Sequence, residues 1–363
     1  MSSTERKTEI FRPTLFERML IASRIPYELG VVLIAVFVGP LGNFLYLYSV
    51  SNNAVSSFYG TFMSTNAGES GFIAAIQSNW YSFASNILWY AFLFYVAVIV
   101  RHLRTRLTQT EPELVSLAPK GKESIREIFG IVSEAAPQLV IMAIFLLVYA
   151  TSVPDLIGKG ELTVFSTPVY VFRSLFRSLM FGSVLWLYCG SLWGLYRLGK
   201  QGLRFKSYHE DLMLGTKKLG ALSFSFSLAY FLGLTLFAAQ MILGGFAGQT
   251  AIVNVVAILV LVPVGIALFI APLISTHNRM VEVKKAEIAT TGKLLSELID
   301  RDPKSARKKQ SAIQLLTLET TERRVMSIKT WPVENPLIGK LALIAISVAA
   351  TLIARLIQVL LNI

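Results

Sequence analysis

The sequence predicts an all-α, polytopic helical membrane protein with about seven transmembrane helices. Three observations predict it. Apolar stretches of about twenty residues recur along the chain, the length a helix needs to cross a hydrocarbon core of roughly 30 Å. Hydrophobic residues make up 54% of the 363 residues and charged ones only 15%, too little charge to cover a soluble domain of this length. Loops rich in Lys and Arg alternate with loops nearly free of them, as expected of a chain that crosses a membrane repeatedly. Strands of alternating hydrophobicity are missing, which argues against an outer-membrane barrel.

Residues 1–28 read as a cytoplasmic N-terminal segment, with Arg6, Lys7, Arg12, Arg18 and Arg24; they are too polar for a signal peptide. The predicted spans are 29–47, 81–100, 128–150, 179–198, 219–243, 251–274 and 337–361. The fourth admits a start as early as Pro168. An outer loop at 49–80 carries no Lys or Arg and several aromatics, among them Phe58, Tyr59, Phe62 and Phe72. It either caps an external vestibule or is a plain loop. Arg101, Arg104, Arg106, Lys120, Lys122 and Arg126 follow the second span, whereas Lys159 alone lies between the third and the early start of the fourth at Pro168. Arg197, Lys200, Arg204, Lys206, Lys217 and Lys218 follow the fourth, and an uncharged link joins the fifth to the sixth. Strict alternation with an odd number of spans places the N-terminus inside and the C-terminus outside.

Residues 29–274 thus form a six-helix transmembrane bundle, and 275–336 a cytoplasmic helical hairpin before the final helix at 337–363. In the hairpin Val281, Ile288, Leu295 and Leu298 share one helix face, Asp302-Pro303 breaks the pattern, and Leu315, Leu318 and Val325 recur at heptad-like spacing. Those stripes must bury against each other, the bundle or another subunit.

The last span holds the leading functional candidates. At about 100° per residue, Lys340, Ser347, Thr351, Arg355, Gln358 and Asn362 fall within one arc of an otherwise apolar helix. Two readings fit. Ser347, Thr351, Arg355 and Gln358 line a pore, since a polar stripe belongs against protein or water rather than lipid. Alternatively the long side chains snorkel to the interfaces and the hydroxyls bond to carbonyls of their own helix.

Arg173 and Arg177 share a helix face near the external end of the fourth span. They either meet headgroups or lie in the membrane, where Asp155, Glu161 or the C-terminal carboxylate are the available partners. Glu134 is an intramembrane carboxylate or marks the inner water boundary, and Lys340 completes the set of intramembrane or interfacial charges. Pro137 and Pro263, the latter close to Gly265, are the candidate gating kinks.

The net charge of +12 flanks apolar spans, so its expected partners are the bilayer and anionic lipids on the cytoplasmic face, not nucleic acid. Cys189, the single cysteine, reads as inert packing. His102, His209 and His277 lack ligand spacing, so no metal is expected. Walker, Rossmann, nucleophile-elbow and HExxH patterns are missing; no cofactor and no enzymatic activity are expected.

The layout of seven spans, an inside N-terminus, an outside C-terminus and a last span entered through cytoplasmic helices resembles the insect chemoreceptor type of seven-transmembrane ion channel. The resemblance extends over the whole chain as topology. It implies a four-subunit assembly anchored by the 275–336 hairpin, with Ser347 and Thr351 facing a cation pore. The leading expectation is therefore a homo-oligomeric ion channel in the cell membrane, with a small-molecule ligand as one way of gating it. A membrane sensor or scaffold that binds a cytoplasmic partner, and a secondary transporter, are the alternatives.

Overall fold

The computed structural model describes residues 10–42, 45, 80–151, 153–158, 164, 166–243, 249–301 and 309–361. All the regular structure among them is helical. The chain opens with α1 (Leu15–Ala22) and α2 (Tyr27–Val36), which continues into a π-helical turn at Phe37–Leu41. Next come α3 (Trp80–Leu117), α4 (Lys122–Phe129), a 3-10 turn (Gly130–Ser133), α5 (Ala135–Ala150) and α6 (Val153–Gly158). The long helices α7 (Ser166–Lys200), α8 (Lys217–Leu243) and α9 (Gln249–Arg301) follow, then α10 (Lys309–Met326) and α11 (Asn335–Leu361). Among the described residues six helices are long and apolar enough to cross a membrane, and α1 with α2 and its π-helical turn, bent by 104°, makes a seventh if the pair is one span. Residues 43, 44, 46 and 47 of the predicted first span and all of the predicted outer loop 49–80 but its last residue lie outside the described residues.

Helix α7 is the hub. It packs against α5 on one side and against α9 and α3 on the other, while α8 fills the space between α3 and α9. Its buried face is lined with small residues, including Ser174, Ser178, Gly182, Ser183, Gly190, Ser191 and Gly194. Small side chains let backbones approach closely. A Cβ at Gly182 would sit 3.0 Å from the Gln138 carbonyl oxygen on α5, and one at Gly194 2.5 Å from the Phe129 ring. Around this hub Leu93, Phe129, Phe226 and Phe231 are fully buried.

Most of the basic segments are helical rather than loops, the non-helical stretch 201–216 with Arg204 and Lys206 excepted. Helix α3 runs well past the predicted limit at Val100, and its continuation buries Leu103, Leu107, Leu114 and Leu117. Helix α9 holds the predicted sixth span and the first arm of the hairpin in one 53-residue helix, about 80 Å at 1.5 Å per residue. Helix α10 packs back on it. Lys284 donates to the Met326 and Ile328 carbonyls at 2.6 and 2.9 Å, capping the end of α10, and His277 stacks on Trp331. The ends of α3, α7 and α9 that carry these arginines and lysines define the basic end of the bundle.

The predicted third span, 128–150, is not one helix. The backbone turns extended at Glu134 (φ −71°, ψ 140°), between the 3-10 turn and α5. Cys189 also departs from expectation: it lies on the exposed face of α7, not in the core.

Candidate functional site

Helix α11 sits at the edge of the bundle, against α9 and α8. Leu341, Ala345, Val348 and Leu352 form its buried face. Lys340, Ser347 and Thr351 are all exposed, on the flank beside that face. Each hydroxyl returns its proton to its own helix: Ser347 Oγ donates to the Leu343 carbonyl at 2.8 Å and Thr351 Oγ1 to the Ser347 carbonyl at 2.9 Å. A hydroxyl oxygen keeps acceptor capacity after donating its hydrogen. The two hydroxyls thus offer oxygen acceptors and no free donor, chemistry that suits a cation or water, whereas the exposed Lys340 ammonium on the same flank is a donor and a positive charge.

Ser347 and Thr351 line a cavity of about 490 Å³ between α8 and α11. Its α8 wall is Thr235, Ala238, Ala239, Ile242 and Leu243, and its α11 wall includes Ile344, Ser347, Val348 and Thr351. The side chains of Arg355 and Gln358 lie outside the described residues. Lys340 makes no ion pair among the described residues and stays exposed.

A second polar cluster surrounds the break in α2. Gly39 leaves helical geometry (φ −87°, ψ −112°) just before Pro40, which has no N–H to offer. The Val38 carbonyl accepts from Arg173 Nε at 3.2 Å and from Arg177 Nη2 at 3.4 Å. Arg173 Nη1 also donates to the Gly42 carbonyl at 3.3 Å. Arg177 bonds to the Tyr149 side chain and lies 5.8 Å from the centre of the Trp89 ring. Arg177 is thus enclosed by the π-helical turn, α3 and α5 among neutral groups, with its Nε buried and without a hydrogen-bond partner, and makes no ion pair with Asp155. The other expected partners, Glu161 and the C-terminal carboxylate, lie outside the described residues.

Glu134 is exposed, and its carbonyl accepts from Gln138 Nε2 at 3.0 Å. Gln138, named in no predicted site, is the buried partner: its Oε1 accepts from the Leu15 amide at 2.9 Å and from Ser183 Oγ at 3.2 Å. Pro137 is the third residue of α5, where the missing N–H has no helical acceptor to lose, so the turn belongs to Glu134. Pro263 and Pro272 both lie within α9. Nearby α9 carbonyls are met from α8: Tyr230 donates to Leu261 at 2.9 Å and Ser223 to Phe269 at 3.0 Å.

Sequence reasoning also missed Glu17. Its carboxylate accepts from the Thr14 amide at 3.0 Å and pairs with Arg104 Nε at 2.8 Å, docking α1 on α3. The Thr14-x-x-Glu17 capping box was the available signal. Comparison of the chain with protein-family models, curated proteins and solved structures returns no match in any of the three.

Proposed function

We propose that the chain is an oligomeric ion channel whose last helix, α11, lines a cation path. The observation that carries this reading is the position of Ser347 and Thr351. Both present hydroxyl oxygens to a cavity on the flank of a peripheral helix. In a lone chain that flank meets lipid; around a symmetry axis the same flanks from several copies would enclose water, as closed cyclic assemblies do. The extension of α9 with α10 supplies the assembly element, since Ile288, Leu294, Ile313 and Leu316 are exposed on it. Positive-inside distribution supports a cytoplasmic basic end that meets anionic lipid, with the C-terminus outside the cell membrane. A small-molecule trigger fits the same reading.

The test is single-channel recording of the purified protein in a planar bilayer. Discrete conductance steps that Thr351→Leu and Ser347→Leu reduce support the assignment; steps that neither substitution alters remove α11 from the pore.

A second reading, a membrane sensor or scaffold, is favoured by α9 alone. One uninterrupted helix joins the apolar core to the α10 platform, and Lys284 clamps the two together. Recovery of a defined soluble partner by the full chain, with no conductance, would favour it.

A further inference from the structure

We propose that the cavity between α8 and α11 binds a neutral, mostly apolar molecule that carries a hydroxyl donor, a medium-chain alcohol. As a binding site this stands by itself; only as the trigger of the proposed channel does it rest on that reading. Three features carry the proposal. The first is size and lining. The cavity measures about 490 Å³. At the roughly 30 Å³ that a water takes in the liquid, it has room for about sixteen heavy atoms. Pockets of this size between bundle helices take small ligands, with apolar walls supplying area and a few polar groups supplying orientation. Here Ala238, Ala239 and Ile242 face Ile344, Val348 and Leu352. Among the described residues no charged side chain lines the cavity, and Lys340 stays outside it. An ion would therefore lose its water there without a partner, whereas a neutral chain gains contact.

The second feature is that the polar groups act alike. Thr235, Ser347 and Thr351 bring hydroxyls to the lining. Thr235 Oγ1 donates to the Phe231 carbonyl at 2.7 Å, Ser347 Oγ to Leu343 at 2.8 Å and Thr351 Oγ1 to Ser347 at 2.9 Å. Each hydrogen is spent on its own helix, and each oxygen keeps a lone pair. An alcohol finds an acceptor on either wall. An ether of equal length, which only accepts, finds no donor.

The third feature is access. Thr235, Leu343, Ser347 and Thr351 are exposed, whereas Ala238, Val348 and Leu352 are buried. The cavity thus has a closed floor and an open side, along the half of α8 farther from Lys217 and the basic end. A molecule dissolved in the bilayer enters sideways, its chain on the buried floor and its hydroxyl beside the exposed ones. Wedged between α8 and α11, it sets the spacing of the helix that the channel reading places around the pore.

The test is photolabelling of the full chain in phosphatidylcholine nanodiscs with a diazirine-bearing dodecanol, followed by digestion and mass spectrometry. Dodecanol and its methyl ether compete at equal mole fraction in the bilayer. Label should fall on residues 235–243 and 343–352, and dodecanol should displace it at about tenfold lower concentration than the ether, the size of one or two hydrogen bonds. The combined variant Thr235→Val, Ser347→Ala and Thr351→Val, which removes the acceptors and nearly keeps the shape, should erase that difference. Ala239→Phe, which fills the cavity, should abolish labelling of both segments. Label spread over the apolar helices and unchanged by Ala239→Phe overturns the proposal. Equal displacement by alcohol and ether overturns it too, because that describes a slot for any acyl chain. Conductance enters none of these measurements, so a silent bilayer counts against the channel alone and an unlabelled cavity against this site alone.

Discussion

Glu17 and Arg104 form an ion pair of 2.8 Å in which the carboxylate is 1% exposed and the guanidinium 20%. The pair fixes α1 across the basic end, because Glu17 also receives the Thr14 amide and so closes the capping box of that helix. Removing one partner leaves the other charge buried and uncompensated, which costs about 3–5 kcal/mol in proteins generally. Glu17→Ala should therefore lower stability by that order, and the double variant Glu17→Leu/Arg104→Leu by clearly less. Urea or thermal unfolding in detergent micelles measures both; equal losses in the two variants would contradict the account.

Close helix contacts at two glycines make a second prediction. A Cβ at Gly199 would collide with Ser275 and Thr276, and one at Gly220 with the Pro332 carbonyl, which is backbone and has little freedom to move. Overpacking of this kind costs about 1–3 kcal/mol, occasionally more. Gly220→Ala should be the worse of the two, since at Gly199 the Ser275 side chain has some room to rotate. Unfolding temperatures of the two alanine variants, compared with Gly130→Ala where nothing lies within 4 Å, give the ranking.

Much of this architecture was legible because apolar length and charge alternation are local signals. Helices α8 and α11 start within two residues of their predicted limits, and each ends where predicted. What sequence reasoning lost is non-local. The arginines after Val100 read as a loop because charge density was equated with loop, yet Leu103, Leu107 and Leu114 keep a helical stripe that buries on the bundle. The predicted third span ran through Glu134, with the inner water boundary as the other reading, because apolar residues lie on both sides of it, whereas the backbone turns extended there and Gln138 just after it pairs with Leu15 and Ser183. No periodicity reveals that Val38 will face Arg177 from 139 residues away in the chain. The small residues of α7 were a readable signal, spaced at four residues through Ser174, Ser178 and Gly182.

The contact between α8 and α11 should respond to acid. Glu334 precedes α11, and its carboxylate lies 2.9 Å from the Lys217 ammonium; that hydrogen bond and charge hold Glu334 below the usual carboxylate range. A depressed folded value means a contribution present above the unfolded carboxylate pKa of about 4.3 and lost as pH falls through the folded value. The difference in unfolding temperature between wild type and Glu334→Gln should therefore be present at neutral pH and vanish in strong acid. Salt should shrink it too, because the pair is exposed. A difference that persists unchanged in strong acid would assign the effect to something other than ionisation.

At the far basic end, Lys284 satisfies two carbonyls where α10 stops, Met326 and Ile328. Without it those acceptors have only water, and a local opening becomes easier while the bundle core is untouched. Lys284→Met should speed hydrogen exchange at the end of α10 by about tenfold, equivalent to roughly 1.4 kcal/mol. Exchange in α7 should not change. Equal acceleration in both helices would mean that α10 opens only with the whole protein.

The surroundings of Ser347 and Thr351 separate water from lipid without any assay of conductance. Ile346 and Ile353 are 66% and 44% exposed on α11 away from the cavity lining, where a spanning helix should meet acyl chains or a neighbouring subunit. With Cys189 replaced by alanine, single cysteines at positions 346, 347, 351 and 353 can be treated with a charged, membrane-impermeant methanethiosulfonate in liposomes. Only a thiol in contact with water ionises and reacts at a useful rate. Cysteines at 347 and 351 should react at least tenfold faster than those at 346 and 353. The opposite order would place the polar flank against lipid, leaving its hydroxyls satisfied by the Leu343 and Ser347 carbonyls alone. Fast reaction at all four positions would instead describe a helix surrounded by water, which its apolar face excludes for a membrane span.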